Sequence, residues 1–338
     1  MDLGSIGARP YAASAETRWR HRFTWLTVAV TVALISWGGF VTSINAGMAV
    51  PDWPATFGSY DPFRTGLAQW WTQTPVLAEH GHRLLGALVG ILTVILAGWT
   101  WLKDPRRWMR NLGLGVLALV IIQGVLGGVR VTENSITLAM VHACTAQIFF
   151  SMLVAMALFT SRSWLEARDT LPDADRTTAF RRLGIATAGV LYLQIVFGAL
   201  LRHLGHGIDG AFAAIHISGA FVVTGFVFAT FVYVHKYFAD NSLLNRWGWI
   251  LIWTLGAQFA LGLAAYLVLL NEMAQAIRTS VQIVLTAGHL VVGALLMASA
   301  VALTLIALRR PADQTADLPG DATAREPVPS DRLSVPAE

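Results

Sequence analysis

Eight apolar segments, each about 20 residues or longer, limit what this chain can fold into. A helix needs about 20 apolar residues to cross the roughly 30 Å hydrocarbon core of a bilayer, and a helix satisfies its backbone amides within its own segment, as lipid requires. Charged residues make up only 13% of the chain, against about 25% in soluble domains. We therefore predict an all-α integral membrane protein whose transmembrane helices span residues 23–45, 80–102, 109–130, 137–160, 183–202, 211–235, 247–270 and 280–308.

The Lys and Arg residues predict the orientation of these helices. Most of the 24 fall at one set of helix ends, and the exceptions are Arg64, Arg83, Arg130, Arg202 and Arg278. Because cytoplasmic loops are enriched in Lys and Arg, we place the N-terminal segment 1–22, the linker 161–182 and the tail 309–338 in the cytoplasm. Residues 311–338 are rich in Pro, Ala, Asp and Thr, a composition typical of disorder. The net charge of +4 reflects the positive-inside bias and not affinity for nucleic acid.

A short pattern recurs near the ends of the third, fifth and seventh helices. It reads QGVLG at 123–127, QIVFG at 194–198 and QFALG at 258–262. A histidine follows each one near the start of the next helix, at His142, His216 and His289, and His82 takes that place in the second helix. The topology puts all four in the outer half of the membrane. The chain thus divides into two pseudo-symmetric four-helix bundles, residues 23–160 and 183–308, with two histidines each.

These four histidines indicate a functional site. One histidine in an apolar helix is explained equally well by a hydrogen bond to a neighbouring helix, but polar residues inside a membrane are costly and usually functional. Two imidazoles from facing helices suit the axial positions of a heme iron. Zinc is the competing cofactor, although it usually takes three or four N, S or O ligands, and the single Cys144 offers no thiolate cluster. Three glycines lie three or four residues after a histidine, at Gly86, Gly219 and Gly293. They allow close approach of a flat macrocycle or, alternatively, close packing of a neighbouring helix.

The stretch EHGHRLLG at 79–86 places ionisable groups at the mouth of the second helix. At about 100° per residue, Glu79, His82 and Arg83 share one helical stripe, whereas His80 points away from it. We therefore predict that His82 is the ligand and that His80 faces the interface or a neighbouring element.

Four features together resemble the heme A synthase family: the E-x-x-H-R signature of Glu79, His82 and Arg83, the four histidines on even helices, eight spans in two repeats, and PDWP at 51–54. The resemblance covers about residues 20–308, and the signature is specific only in combination with the histidines. The chain departs from many bacterial members, which carry paired cysteines in their outer loops. A disulfide in those loops is excluded here, because the chain has one cysteine.

The resemblance implies that heme O is converted to heme A, a ring methyl group being oxidised to a formyl group by successive hydroxylations. His82 and His142 would flank the substrate heme as catalytic residues, while His216 and His289 would bind the iron of a heme b. The implied partners are a heme O synthase (a farnesyltransferase) as donor of heme O, membrane lipid and an electron donor. The sequence is also compatible with a homo-oligomer.

Glu79 matches the acid of the family motif, and we predict that it manages charge or a proton beside the reacting methyl group. The alternative is an ordinary i,i+4 pair with Arg83, worth about 0.3–0.5 kcal/mol. Arg83, Arg130 and Arg202 lie at the level of the heme propionates, which need charged partners, or they anchor helix ends at the interface. His203 and His206, in the loop after the fifth helix, are weaker candidates for proton transfer or contact with a propionate.

Two other functions share much of this pattern. A diheme b-type cytochrome that only transfers electrons would use the same paired histidines but would have no need of Glu79. A heme carrier, or an assembly factor for a terminal oxidase, would bind heme without changing it.

Overall fold

A computed structural model describes residues 15–61, 63, 69–166, 174–270 and 279–309. Eight helices in these ranges are long and apolar enough to cross a membrane, which confirms the predicted all-α membrane architecture. A short helix at Arg162–Glu166 and a 3-10 turn at Trp70–Thr72 accompany them. Numbered in chain order, the eight long helices are α1 (Ala15–Ser43), α2 (Thr74–Lys103), α3 (Arg107–Thr132), α4 (Ile136–Thr160), α5 (Ala174–His203), α6 (Gly210–Tyr237), α7 (Ser242–Leu269) and α8 (Ser280–Leu308).

Four helices begin at least five residues earlier than their apolar segments predict. Helix α1 starts at residue 15 and not 23, α2 at 74 and not 80, α5 at 174 and not 183, and α7 at 242 and not 247. Parts of the predicted N-terminal segment and linker are therefore helical. The predicted disordered tail lies outside the described residues apart from Arg309.

A buried ion pair explains the early start of α1. Arg20 is fully buried, and its Nη2 atom lies 3.0 Å from Oδ2 of Asp104, which follows α2. Asp104 also accepts hydrogen bonds from Nε and Nη2 of Arg106, at 2.9 and 2.7 Å. Burial acts to raise the pKa of Asp104, but Arg106 and the charge of Arg20 outweigh it and hold that pKa below its usual value. The polar first turns of α1 are thus held against the α2–α3 connection.

Caps at the helix N-termini fix where the even helices start. Ser135 caps α4, Asp209 caps α6 and Thr279 caps α8, each through a side-chain oxygen that accepts a backbone N–H of the first turn. At α8 the arrangement is reciprocal, since Oε1 of Gln282 accepts the N–H of Thr279 at 2.9 Å. Helix α2 instead has Pro75 in its first turn, a position that suits the fixed φ angle of proline.

The helices pack as two rings that meet at the centre of the molecule. Within α1–α4 each helix packs on the next and α4 closes onto α1, and α5–α8 repeat this pattern. The halves meet where α4 packs on α8, α1 on α8, and α4 on α5. The most apolar stretches of α4 and α8 are therefore the most enclosed, with 67% and 61% of their residues buried, against at most 33% in the other six helices.

Candidate functional site

All four predicted histidines lie at one end of the helical bundle. His82, His142, His216 and His289 fall within about three turns of the first residues of α2, α4, α6 and α8. We call the end where these helices begin the histidine end. The odd helices finish at the same end, so each histidine faces the last turns of the preceding odd helix.

Each histidine ring packs against a glycine of that odd helix. A Cβ atom added to Gly38, Gly127, Gly198 or Gly262 would lie 3.0, 3.2, 3.0 or 2.7 Å from Cε1 of the facing imidazole. Any larger residue would push the ring away. Three of these glycines end the recurring pattern QGVLG, QIVFG or QFALG. The repeated pattern therefore already included these glycines, but only the structure shows that the last residue of each pattern faces the histidine.

The glutamines that begin those patterns contact the same histidines. Nε2 of Gln194 lies 3.1 Å from Nδ1 of His216 and donates to its backbone carbonyl at 2.7 Å. The side-chain amide of Gln123 forms hydrogen bonds with its neighbours when its nitrogen faces His142. In this orientation the nitrogen lies 3.0 Å from Nδ1 of His142 and 3.1 Å from its backbone oxygen. These two contacts join α3 to α4 and α5 to α6.

Gln258 contacts His289 in a different way. Its backbone carbonyl lies 3.1 Å from Nδ1 of His289, and its side-chain amide lies 3.2 Å from Nε2. In all three cases, however, Nδ1 of the histidine has a partner from the residue that starts the pattern.

His82 is different from the other three histidines. Its Nδ1 atom is buried and has no hydrogen-bond partner among the described residues. Helix α1 carries Leu34, not glutamine, four residues before Gly38. A buried polar atom without a partner costs about 1–3 kcal/mol, which sets His82 apart from the other three histidines.

The His216–His289 pair has the spacing expected for two axial ligands of one heme iron. The ring centroids of His216 and His289 are 6.2 Å apart, with an interplanar angle of 77°. Imidazole nitrogens bind metals at about 2.0–2.1 Å, so two rings on opposite sides of one ion have centroids roughly 6 Å apart.

The zinc alternative has less support from the structure. Within the described ranges, no three His, Cys, Asp or Glu side chains gather into a group that could hold a metal ion. A tetrahedral zinc site usually needs three or four such ligands. Two facing imidazoles are instead sufficient for the axial positions of a porphyrin iron.

The three glycines near the ligands face different surroundings. A Cβ atom at Gly219 would collide with Oε1 of Gln194, and one at Gly293 would lie 3.1 Å from Nε2 of Gln258. These two glycines therefore make room for a glutamine of the neighbouring helix. Gly86 has nothing within 4 Å of that position, so open space remains beside His82.

Glu79 and Arg83 hold the loop that follows α1. Glu79 is buried, with Oε2 accepting the N–H of Val50 at 2.8 Å and Oε1 accepting Nη2 of Arg83 at 2.8 Å. Arg83 also donates to the carbonyls of Val50, Asp52 and Ala55 at 2.9, 2.8 and 3.1 Å. The predicted intrahelical pair is thus present, and it also anchors residues 50–55. A propionate contact from Arg83 stays a prediction.

His80 points away from His82, as the helical stripe predicts. Its Nδ1 atom lies 3.2 Å from Oγ1 of Thr56 in the loop, and its ring centroid lies 4.5 Å from that of Trp70. The loop therefore contacts α2 through His80 as well as through Glu79 and Arg83.

The loop also covers the C-terminal end of α3. Trp53 packs so closely on Gly128 that a Cβ atom there would collide with the indole. A Cβ atom at Gly47 would lie 2.9 Å from Nη1 of Arg130. Arg130 interacts through its charge with Glu79, His82 and His142, and it donates no hydrogen bond to any residue that the structure describes.

Arg202 links the two halves of the molecule. Its Nη2 atom donates to the carbonyl of Gly39 and to Oγ of Ser43, both at 3.0 Å. Gly39 in turn faces α8, where a Cβ atom at that position would lie 3.2 Å from Cβ of Ala287. Arg202 therefore lies where α1, α5 and α8 converge, and its charge also acts on His289.

Asp52 shapes the tip of the loop. Its carboxylate accepts the N–H groups of Phe57 and Gly58, both at 2.8 Å, and Phe57 has a left-handed φ of 50°, which is strained for a residue with a side chain. Burial acts to raise the pKa of Asp52, but these hydrogen bonds and the charge of Arg83 outweigh it, so the pKa lies below its usual value. The turn is therefore stabilised near neutral pH and loses this support as the pH falls through that lowered pKa.

Replacing Asp52 by alanine is expected to make the amides of Phe57 and Gly58 exchange about tenfold faster, because hydrogen bonds to charged groups contribute about 1.5–3 kcal/mol. Hydrogen–deuterium exchange on the loop peptide measures this. Asp61→Ala is the control, because the carboxylate of Asp61 accepts a different backbone N–H, that of Phe63. The difference from wild type should shrink in acid, and equal exchange at pH 7 would contradict the assignment.

Proteins of known family match this chain. A family model described as COX15-CtaA, cytochrome oxidase assembly protein, matches residues 21–215. A protein named heme A synthase from Methylobacterium sp. (strain 4-46) is 26% identical in an alignment of 274 residues that covers 72% of this chain and 73% of that protein. A second, from Methylobacterium nodulans, is 27% identical over 64% of this chain and 66% of its own length. A third, from Symbiobacterium thermophilum, is 28% identical over 52% and 57%.

The family match covers more than half of the chain. The matched residues include Glu79, His82 and His142 and end one residue before His216. The histidine pattern and the eight helices agree with this match, and the chain is similar to proteins named heme A synthase. The protein therefore belongs to the COX15-CtaA family of cytochrome oxidase assembly proteins.

Proposed function

We propose that this protein is a heme A synthase, an oxidoreductase that converts a ring methyl group of heme O to a formyl group by successive hydroxylations. The observation that carries this proposal is that the two histidine pairs have different surroundings. Helix α2 has a buried carboxylate, Glu79, one turn before its histidine. The corresponding helices α4, α6 and α8 contain no Asp or Glu. A protein that only transferred electrons would have no need of that difference.

The first bundle would hold the substrate. His82 of α2 and His142 of α4 would take the two axial positions of heme O, and the open space at Gly86 leaves room beside His82. Arg130 is the best placed cation for a propionate, because it donates to no described residue and its charge already acts on both histidines. The loop with Trp53 lies over the C-terminal end of α3, on the same side as this site.

The second bundle would hold a heme b. His216 and His289 are spaced for one iron, and Nδ1 of each has a partner. When bound, heme b supplies one-electron redox chemistry, whose potential depends on its axial ligands and their hydrogen bonds. Arg202 lies beside this pair and donates to α1 of the first bundle.

Glu79 would manage charge and protons at the first site. Its two oxygens are held by Val50 and Arg83, which fixes the orientation of the carboxylate. A carboxylate has about four acceptor positions, so one hydrogen bond to each oxygen leaves capacity for a proton. General acid–base groups of this kind contribute about 10²–10⁴-fold to a rate.

The diheme cytochrome remains the second candidate, because the geometry of His216 and His289 alone suits it equally well. Expression beside a heme O synthase, followed by chromatography of the extracted hemes, separates the candidates. Heme A or its hydroxylated intermediate supports the synthase. Heme b in equal amounts at both sites supports the cytochrome, and unchanged heme O supports a carrier.

We also infer that the histidine end faces outward and that both termini are cytoplasmic, since Lys and Arg are concentrated at the opposite end. Heme O would reach the site from the farnesyltransferase that makes it, and heme A would pass to a terminal oxidase.

A further inference from the structure

Helices α2 and α3 are in contact near the end opposite the histidines. A Cβ atom added to Gly113 of α3 would lie 3.6 Å from Cβ of Thr100 and 3.7 Å from Cα of Ala97, both on α2. Toward the histidine end, Gly86 lies eleven residues from Ala97, and Gly124 lies eleven residues from Gly113. Eleven residues are about three helical turns, so both glycines lie on the faces that meet at this contact and at the same level.

The two helices are separated at the histidine end. Among the described residues, no atom lies within 4 Å of a Cβ added to Gly86 or Gly124, and the same is true of Gly90, one turn further along α2. Ala87 and Gly124 are exposed on the surface of the bundle. A cleft lined by small residues therefore runs between α2 and α3 and opens sideways, toward the lipid. We call it the α2–α3 cleft.

The α2–α3 cleft adjoins the first histidine pair. Gly86 lies one turn from His82, whose Nδ1 atom is buried and has no hydrogen-bond partner among the described residues. Gly124 lies three residues from Gly127, where an added Cβ would lie 3.2 Å from Cε1 of His142. A ligand held between the two histidines would therefore have the cleft at its side.

Two aromatic rings occupy the equivalent place in the second bundle. The pattern QFALG at 258–262 aligns with QGVLG at 123–127, so Phe259 of α7 takes the place of Gly124. Phe221 of α6 takes the place of Ala87, since each lies five residues after the histidine of its helix. The rings of Phe221 and Phe259 pack edge to face, with centroids 6.0 Å apart and an interplanar angle of 69°. Helices α6 and α7 are thus joined where α2 and α3 are apart.

We propose that the α2–α3 cleft holds the isoprenoid chain of heme O and makes the first bundle selective for a prenylated heme. Heme O carries such a chain because a farnesyltransferase makes it, whereas heme b has none. A cleft that leads from the histidines to the lipid lets the porphyrin lie inside the bundle while its chain extends outward. The contact of Phe221 with Phe259 closes this path in the second bundle, where a heme b needs no such space. The proposal rests on the proposed function, since it takes His82 and His142 to hold heme O.

The shape of the cleft, and not its apolar character, is what makes it selective. Lipid chains are as apolar as an isoprenoid chain, so the chain gains nothing merely by leaving the lipid. It gains many individually weak carbon contacts with the two helices. It is also tethered to the bound porphyrin, so it competes with free lipid at a high effective concentration. A side chain that fills the cleft removes these contacts.

The test is a titration of the full-length chain, purified in detergent with heme b in its second bundle, with ferric heme O or hemin. Soret absorbance reports binding. The wild-type first bundle is expected to bind heme O about tenfold more tightly than hemin, the effect of on the order of ten carbon contacts. Gly124→Phe should weaken the binding of heme O by this factor and leave that of hemin unchanged. Gly225→Phe is the matched control, because Gly225 of α6 also has nothing within 4 Å of an added Cβ but lies in the second bundle.

Retention of heme b by the second bundle shows that each variant is folded. Gly124→Leu, with a smaller side chain, should give an intermediate loss of affinity for heme O. Equal affinities of the wild type for the two hemes would overturn the inference, as would an unchanged preference, or an equal loss of both hemes, in Gly124→Phe. If heme O is preferred but no heme A forms from it, the synthase assignment fails and the cleft stands. If the first bundle binds neither heme, both fail.

Discussion

Replacing His142 by alanine is expected to reduce heme A formation by more than about 1,000-fold. Losing only the hydrogen-bond partner of a metal-binding histidine costs about 10–100-fold in metal affinity or activity, and this substitution removes the histidine itself. Heme b should stay in the second bundle, because His216 and His289 are untouched and lie on other helices. The measurement is chromatography of hemes extracted from cells that also express a heme O synthase.

The control for that experiment is His235→Ala. His235 also lies on an even helix, but near the far end of α6, where its Nδ1 atom lies 2.9 Å from the carbonyl of Phe231 and its ring packs on Trp249. Heme A formation should be retained in this variant. Normal heme A formation by His142→Ala would show that His142 does not hold the substrate.

The second large effect is expected at Glu79. Glu79→Gln should keep heme in both bundles and lower heme A formation by about 10²–10⁴-fold, the usual contribution of a general acid or base. The side chain keeps its size and one acceptor oxygen, so the N–H of Val50 can still be satisfied. Heme content and product are measured on the same preparation.

Because Glu79 also holds the loop, a second variant must separate anchoring from chemistry. Arg83→Met removes the ion pair and the hydrogen bonds to three loop carbonyls but leaves the carboxylate. It should speed amide exchange in residues 50–55 more than Glu79→Gln does, yet lower product formation less. If both variants lose equal activity in proportion to loop exchange, Glu79 is an anchor and not a catalytic group.

The sequence predicted the helices well because their signal is local. Length and apolarity alone identified all eight, whereas the first turns of α1, α2, α5 and α7 lay outside the predicted apolar segments. The early start of α1 depends on Arg20 and Asp104, which are more than 80 residues apart in sequence and meet only in the fold. Such a pair cannot be deduced from a pattern within one segment.

The site was predicted in part for the same reason. A helical stripe separates His82 from His80, since both lie on one helix. The glycine and glutamine partners lie on the preceding helix, and their repeat was visible in QGVLG, QIVFG and QFALG. What that repeat contacts depends on how the helices pack. Likewise, the i,i+4 spacing of Glu79 and Arg83 predicted a pair but not its hold on Val50.

The unequal roles of the two bundles can be tested by the heme content of the chain purified from cells with and without a heme O source. Without that source, the chain is expected to hold heme b in the second bundle and no heme A. With it, heme b should persist, and heme A or its hydroxylated precursor should join it. Two molecules of heme b per chain under both conditions, with no trace of heme A, would contradict the assignment of a substrate site to His82 and His142.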